Sequence, residues 1–222
     1  MNNKIKINNK IIVRCALSIL VLCSILLSGC ATMSKDECLH ADWYIKGLED
    51  ASQGYPLSRV AEHGKACARV KVIPVMRDYE DGHKKGARLY CVPEKGYSAG
   101  RDGSEYHGIC PQDLEGQFLH AYRDGQELYN IERSINNLTS EIDSNQMRIQ
   151  SNYNEIQALQ YDISERNNDS TERQHKLHRI DDLHYEITDL EVRTDRAAHE
   201  LDLFRNDFRV VEDKHYRMGY IK

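Results

Sequence analysis

The sequence predicts a mainly α-helical protein, with a small disulfide-stapled helical domain followed by a long antiparallel coiled-coil hairpin. Three observations predict this fold class. Apolar residues recur at heptad spacing through two long stretches of the second half. Four cysteines and a repeated tyrosine–glycine spacing lie between residues 38 and 125. A capping box and several prolines mark helix starts.

Residues 1–29 have the pattern of a lipoprotein signal peptide. A basic segment with Lys4, Lys6, Lys10 and Arg14 precedes a short apolar run from Ala16 to Leu27. That run is shorter than the ~20 residues that a membrane-spanning helix needs. The run ends in the lipobox Leu27-Ser28-Gly29-Cys30. We therefore expect Cys30 to be acylated, for example with palmitate, and to become the first residue of the mature chain.

The signal segment also indicates the membrane to which the protein is attached, and its removal changes the net charge of the chain. In lipoproteins of this kind, Ala31 rather than an acidic residue after the cysteine favours the outer membrane, facing the periplasm. The whole chain has a net charge of −5, and the signal holds four positive charges and no negative one, so the mature chain is near −9. Such a charge argues against a nucleic-acid partner.

Besides the acylated Cys30, four cysteines remain in the mature chain: Cys38, Cys67, Cys91 and Cys110. In an oxidising periplasm they predict two disulfides, for which three connectivities are possible. We favour Cys38–Cys67 and Cys91–Cys110, because each joins neighbouring elements. A cysteine zinc site is disfavoured, since no two of these cysteines have C-x-x-C spacing.

The small domain, residues 30–125, is expected to contain four helices. Ser34 and Glu37 form a capping box that starts the first, which should end at Gly54. Pro56 and Ser58 suit the start of the second, and residues 92–110 are rich in glycine and predict a loop or short hairpin. The helices are predicted over 34–53, 58–69 and 74–90, with the fourth starting at Pro111.

One spacing recurs in this domain: a tyrosine followed three residues later by a glycine. Because glycine costs about 1 kcal/mol in a helix interior, its presence there needs a reason. We predict close helix contacts, with tyrosine rings over the glycines; the alternative is a tyrosine-lined ligand groove. The predicted packing residues are Trp43, Tyr44, Gly47, Gly54, Tyr79, Gly82, Gly86, Tyr97, Gly100, Tyr122 and Gly125.

Several of these strings resemble a known family. The stretch from Cys38 to Trp43, the run from Tyr79 to Cys91 and the string ending in Cys110-Pro111 look like an uncharacterised bacterial lipoprotein family, domain of unknown function 2799. The resemblance covers residues 31–130. It implies lipoprotein status and a cysteine- and glycine-rich small domain, and it transfers no catalytic residue.

Residues 126–222 predict two helices of a coiled coil. The first heptad run places its a positions at 135, 142, 149 and 156, and the second places them at 180, 187, 194, 201 and 208. The heptad register breaks in a polar segment where Asp169 and Glu172 form a new capping box, so we expect a turn near 166–171. Folding back about this point pairs apolar with apolar residues, such as Ile135 with Phe204. A parallel homodimer of one long interrupted helix is the alternative.

Chemical motifs are scarce. His175, His178 and His184 have a spacing that can bind a metal, but exposed histidines on a polar helix are far commoner. Cys110 with His107 or His120 would suit a cysteine nucleophile, although a disulfide explains Cys110 more simply. We find no G-x-S-x-G, H-E-x-x-H, P-loop or Rossmann pattern and predict no enzyme, cofactor or metal site.

These expectations describe a membrane-anchored periplasmic lipoprotein of structural or interaction type. Its hairpin would present a binding surface to an envelope protein, and the coiled coil would also allow a homodimer. Two alternatives stay open. One is a cell-wall or lipid hydrolase, and the other is a ligand-binding module that uses the tyrosine–glycine surface of the small domain.

Overall fold

The computed structural model describes residues 32–165 and 169–221, and within these ranges the chain is helical and contains no strand. The mainly α-helical prediction is confirmed. The helices are α1 (Lys35–Leu39), α2 (Trp43–Ser52), α3 (Arg59–Cys67), α4 (Met76–Tyr90), α5 (Pro93–Arg101), α6 (Gln112–Ser164) and α7 (Ser170–Arg217), with a 3₁₀ turn at Ala68–Val70.

The predicted first helix is two helices. The Ser34–Glu37 capping box starts α1 as expected, but α1 ends at Leu39. A second N-cap follows, because the carboxylate of Asp42 accepts a hydrogen bond of 3.0 Å from the Ile45 N–H and starts α2. Gly54 follows the end of α2 with a φ of +89°, the left-handed conformation that glycine adopts readily.

The prediction of a loop or hairpin for residues 92–110 is wrong for its first half. Pro93 occupies the first turn of α5, where its missing N–H is tolerated. The glycines that suggested a loop instead line a helix face, since Gly96 and Gly100 are both buried within α5. Tertiary packing here outweighs the low helix propensity of glycine.

Both favoured disulfides are present. Cys38 pairs with Cys67 and Cys91 pairs with Cys110, with Cα–Cα distances of 5.4 and 5.5 Å. Contacts divide the chain into two units, with the division between Ala87 and Arg88, near the end of α4. Each unit therefore holds one disulfide. The predicted boundary near residue 125 falls inside α6, which continues through it without a break.

The recurring glycines allow helices to cross with their backbones in contact. In the first unit, a Cβ on Gly82 would lie 1.9 Å from the Tyr44 carbonyl oxygen, and one on Gly47 would lie 2.1 Å from that of Tyr79. Only the hydrogen of glycine fits there, and it points at the carbonyl in a Cα–H···O contact. The predicted close packing is confirmed, but the tyrosine carbonyls, not the rings, cover the glycines.

The second unit repeats this reciprocal crossing. A Cβ on Gly100 would lie 2.1 Å from the Tyr122 carbonyl oxygen, and one on Gly125 would lie 2.2 Å from that of Tyr97. In both units the first tyrosine follows its cysteine by six residues and the second follows its cysteine by twelve. The two units are thus built on one plan of cysteine, tyrosine and glycine.

Helices α6 and α7 form the predicted antiparallel hairpin. Ile156 of α6 packs with Ile180, Leu183 and Ile187 of α7 in one buried cluster. Across the seam, Arg179 Nε lies 2.8 Å from Glu155 Oε1, and Arg148 pairs with Glu186. These contacts join two helices of the same chain. They therefore favour the hairpin over the alternative, a parallel homodimer of one long helix. Residues 166–168 of the predicted turn lie outside the described residues.

Two asparagines occupy the seam where the heptad pattern expects apolar residues. Asn145 and Asn152 are buried, and neither Nδ2 has a hydrogen-bond partner. An unsatisfied buried amide costs about 1–3 kcal/mol. Polar residues in a coiled-coil seam lower stability but disfavour shifted registers.

Candidate functional site

The sequence-predicted site residues divide into three groups. Cys30 and the whole signal segment lie outside the described residues. The four remaining cysteines are disulfide-bonded, so the Cys110 sulfur is not a free thiol beside His107 or His120. The glycine faces of the tyrosine–glycine motifs are covered by a neighbouring helix and form no open groove.

An apolar stripe runs along the solvent side of α7. It consists of Tyr185, Val192, Leu203 and Val210, which we call the outer stripe. Their exposed fractions run from 55% to 78%. Spacings of seven, eleven and seven residues keep these side chains on one helix face at 3.6 residues per turn. They lie at the heptad positions that face away from α6.

The first unit contains a buried polar network around Asp50. Its Oδ2 accepts hydrogen bonds of 2.7 Å from both Tyr79 OH and His63 Nε2. The other ring nitrogen of His63 lies 2.9 Å from Thr32 Oγ1. Asp50, His63 and Tyr79 are all nearly inaccessible to solvent. We call Asp50, His63 and Tyr79 the core network.

Electrostatics keep Asp50 ionised and Tyr79 protonated at neutral pH. Burial alone would raise the pKa of Asp50, but the hydrogen bonds from His63 and Tyr79 outweigh it, and the pKa lies below its ordinary value. Burial and the Asp50 carboxylate raise the pKa of Tyr79. Asp50 is therefore ionised at neutral pH, and Tyr79 remains a hydrogen-bond donor.

A surface cavity of about 420 Å³ adjoins α1 and α2, and acidic residues dominate its lining. Two of its carboxylates are already used as helix caps: Glu37 bonds to the Ser34 N–H, and Asp42 bonds to the Ile45 N–H. The Glu49 carboxylate pairs with Lys46. The lining acids are thus occupied in holding the local helices.

The second unit contains a cluster that sequence reasoning missed. Ligand-type atoms of Asp124, Glu127 and His215 all lie within 4.8 Å of one another, and we call these residues the base cluster. Asp124 and Glu127 are one turn apart on α6, and His215 comes from the last turn of α7. Burial, followed by the charge of Lys214, lowers the pKa of His215. Its ring is therefore neutral at neutral pH.

Among the described residues, no helix combines the length and the apolar character needed to cross a membrane. Residues 42–127 match the family model described as protein of unknown function (DUF2799). Comparisons with curated proteins and with solved structures gave no significant match. The matched segment holds all four tyrosine–glycine motifs, and most of the hairpin lies beyond it. Residues 42–127 of this chain are therefore similar to the DUF2799 family, and the matched segment ends within α6.

Proposed function

We propose that this protein is an envelope lipoprotein, anchored through an acylated Cys30 to the outer membrane on its periplasmic side, and that its hairpin binds another envelope protein. The observation that carries the proposal is the outer stripe. The seam between α6 and α7 already buries the apolar residues that hold the hairpin together. The outer stripe contributes nothing to that seam and leaves four large apolar side chains in solvent.

The dimensions of the outer stripe favour a helical partner. From Tyr185 to Val210 it spans about 37 Å at 1.5 Å per residue. Apolar side chains that recur on one helix face over this length match the apolar face of a second amphipathic helix, which engages residues at intervals of three, four and seven. We therefore expect a helix of the partner to lie along α7.

The charges beside the outer stripe indicate the charge of the partner's surface. Between residues 181 and 202, α7 carries eight acidic residues and two arginines. A partner helix flanked by lysines and arginines would complement this field and would associate faster at low salt. An acidic partner surface would be repelled.

The start of the described chain bears on the anchor. Met33 is buried in the first unit, and its carbonyl accepts a hydrogen bond of 2.7 Å from Arg69. Thr32 contacts His63. Only Ala31 separates Cys30 from this packed segment. A lipid on Cys30 would thus hold the first unit directly at the membrane surface.

Photo-crosslinking in cells tests the binding face. We expect a photoreactive residue at 185, 192, 203 or 210 to give one common protein adduct. The matched controls are Ser140 and Asn154, which are exposed at outward positions of α6. Val192→Lys in a chain that carries the crosslinker at 203 should abolish the adduct, because a charge then faces the partner's apolar side. Equal adducts from both helices, or none from α7, would contradict the proposal.

The anchor is tested separately. Cys30→Ser should move the protein from the membrane fraction to the soluble fraction and should remove the mass of the acyl chains from the N-terminal peptide. Ser28→Ala, a change within the lipobox but not at the acylated residue, serves as the control and should remain in the membrane fraction. A Cys30→Ser protein that is processed and still sediments with membranes would refute the anchor while leaving the binding face untouched.

A further inference from the structure

The base cluster has the composition of a transition-metal site. It offers one imidazole nitrogen and two carboxylates, the ligand types that Zn²⁺ accepts in open three-ligand sites. The carboxylates of Asp124 and Glu127 project from one face of α6, and His215 approaches from α7. We propose that Asp124, Glu127 and His215 bind a divalent transition-metal cation such as Zn²⁺, with water completing the coordination.

The separation between His215 and Glu127 fits this proposal. The Nε2 of His215 lies 3.6 Å from Glu127 Oε2. Two ligands of a tetrahedral zinc with bonds of 2.0–2.2 Å lie about 3.3–3.5 Å apart. A hydrogen bond between these atoms would be shorter, near 2.8 Å. The pair is therefore spaced like two ligands of one ion, and a small side-chain movement completes the geometry.

The surroundings of the two His215 ring nitrogens also support the proposal. Its side chain is fully buried, and Nε2 has no hydrogen-bond partner. The opposite nitrogen, Nδ1, lies 3.3 Å from Tyr97 OH. If Nδ1–H donates to the tyrosine oxygen, Nε2 presents its lone pair to the carboxylates. Metal-binding histidines are oriented in this way by a hydrogen bond at the other ring nitrogen.

The ammonium group of Lys214 lies beside the two carboxylates of the base cluster. The Lys214 Nζ lies 2.9 Å from Glu127 Oε2 and 4.0 Å from Asp124 Oδ1. Lys214 is half exposed, so its flexible side chain can swing into solvent when a metal binds. Lys214 thus competes with the metal for the same two carboxylates, and removing its charge should tighten metal binding.

A second atom of the base cluster is buried without a hydrogen-bond partner. The Nδ1 of His120 lies 3.1 Å from Asp124 Oδ2, and His120 is one turn earlier on the same face of α6. This approach does not have the geometry of a hydrogen bond, and Asp124 Oδ2 is left without a partner. The second unit therefore supplies three ligands, two of which present a buried atom without a hydrogen-bond partner, and also Tyr97, which orients His215.

Calorimetric titration with ZnCl₂ tests the site on the full chain, purified without a histidine tag. We expect one high-affinity equivalent. His215→Gln and Glu127→Gln should each weaken binding about tenfold or more, and Tyr97→Phe should weaken it about tenfold. Lys214→Met should strengthen it severalfold. The matched control is the double variant His175→Ala, His178→Ala, which removes two exposed histidines of the same helix and should bind normally.

The variants separate the possible failures. If His215→Gln disturbs the fold, as far-UV circular dichroism would show, Glu127→Gln and Lys214→Met still decide the matter, because both residues are partly exposed. Loss of binding in the His175, His178 variant would overturn the proposal in favour of the other histidines. Equal affinity in the wild type and in Glu127→Gln would also overturn it.

Discussion

Gly82→Ala will unfold the first unit at denaturant concentrations that leave the wild type folded. The new methyl carbon would lie 1.9 Å from the Tyr44 carbonyl oxygen and 3.0 Å from the Leu48 nitrogen. Both contacts are with the backbone of α2, so no side chain can rotate away and the two helices must separate. We expect a loss of about 3 kcal/mol or more, at the upper end of measured overpacking effects.

The single tryptophan provides the measurement. Trp43 is buried in the first unit, so its fluorescence during urea unfolding reports on that unit. Gly64→Ala is the matched control, because its new Cβ would lie 3.6 Å from the nearest atoms, which belong to Pro74. We expect Gly64→Ala to stabilise α3 by about 1 kcal/mol. Similar unfolding midpoints for the two variants would disprove the role of Gly82 in the helix crossing.

Asp50→Ala will destabilise the same unit by about 3 kcal/mol at pH 7. It removes the carboxylate oxygen to which the buried His63 and Tyr79 side chains are both hydrogen-bonded in the core network. Buried donors left without a partner cost about 1–3 kcal/mol each. Glu49→Ala, an exposed neighbour on α2, serves as the control and should change stability by less than about 0.5 kcal/mol.

The pH dependence of this difference follows from the lowered pKa of Asp50. The ionised carboxylate stabilises the folded state fully above the unfolded-state pKa, near 3.9, and this stabilisation is lost as the pH falls through the lower folded-state value. The stability difference between the wild type and Asp50→Ala should therefore narrow as the pH falls below about 4. A gap that widens in acid would contradict the assignment.

Much of the fold could be predicted because its signals are local or periodic. The heptad spacing predicts the hairpin, because apolar residues at this spacing must face a single seam. Asp169 predicts the start of α7, because it is an N-cap residue. The cysteine pairing followed from proximity along the chain. The loop prediction is wrong for the first half of residues 92–110 because glycine has a low helix propensity, whereas Gly96 and Gly100 allow a helix crossing that depends on the tertiary structure.

The base cluster is absent from the sequence-based predictions, although the sequence contains a signal for it. The same fold-back relation that pairs Ile135 with Phe204 also pairs Asp124 with His215. The cluster was missed because the hairpin was expected to begin at 126, while α6 begins at Gln112. By contrast, the pairing of Asp50 with His63 and Tyr79 has no periodic signal, because it depends on how three short helices pack.

The length of α6 has a mechanical consequence. From Gln112 to Ser164 it is one helix, with no proline inside it to provide a hinge. Its first turn adjoins Cys110, which is covalently tied to Cys91. A force applied at the turn end of the hairpin would therefore be transmitted along α6 to the segment that the Cys91–Cys110 disulfide cross-links. The continuous helix would resist bending along its length.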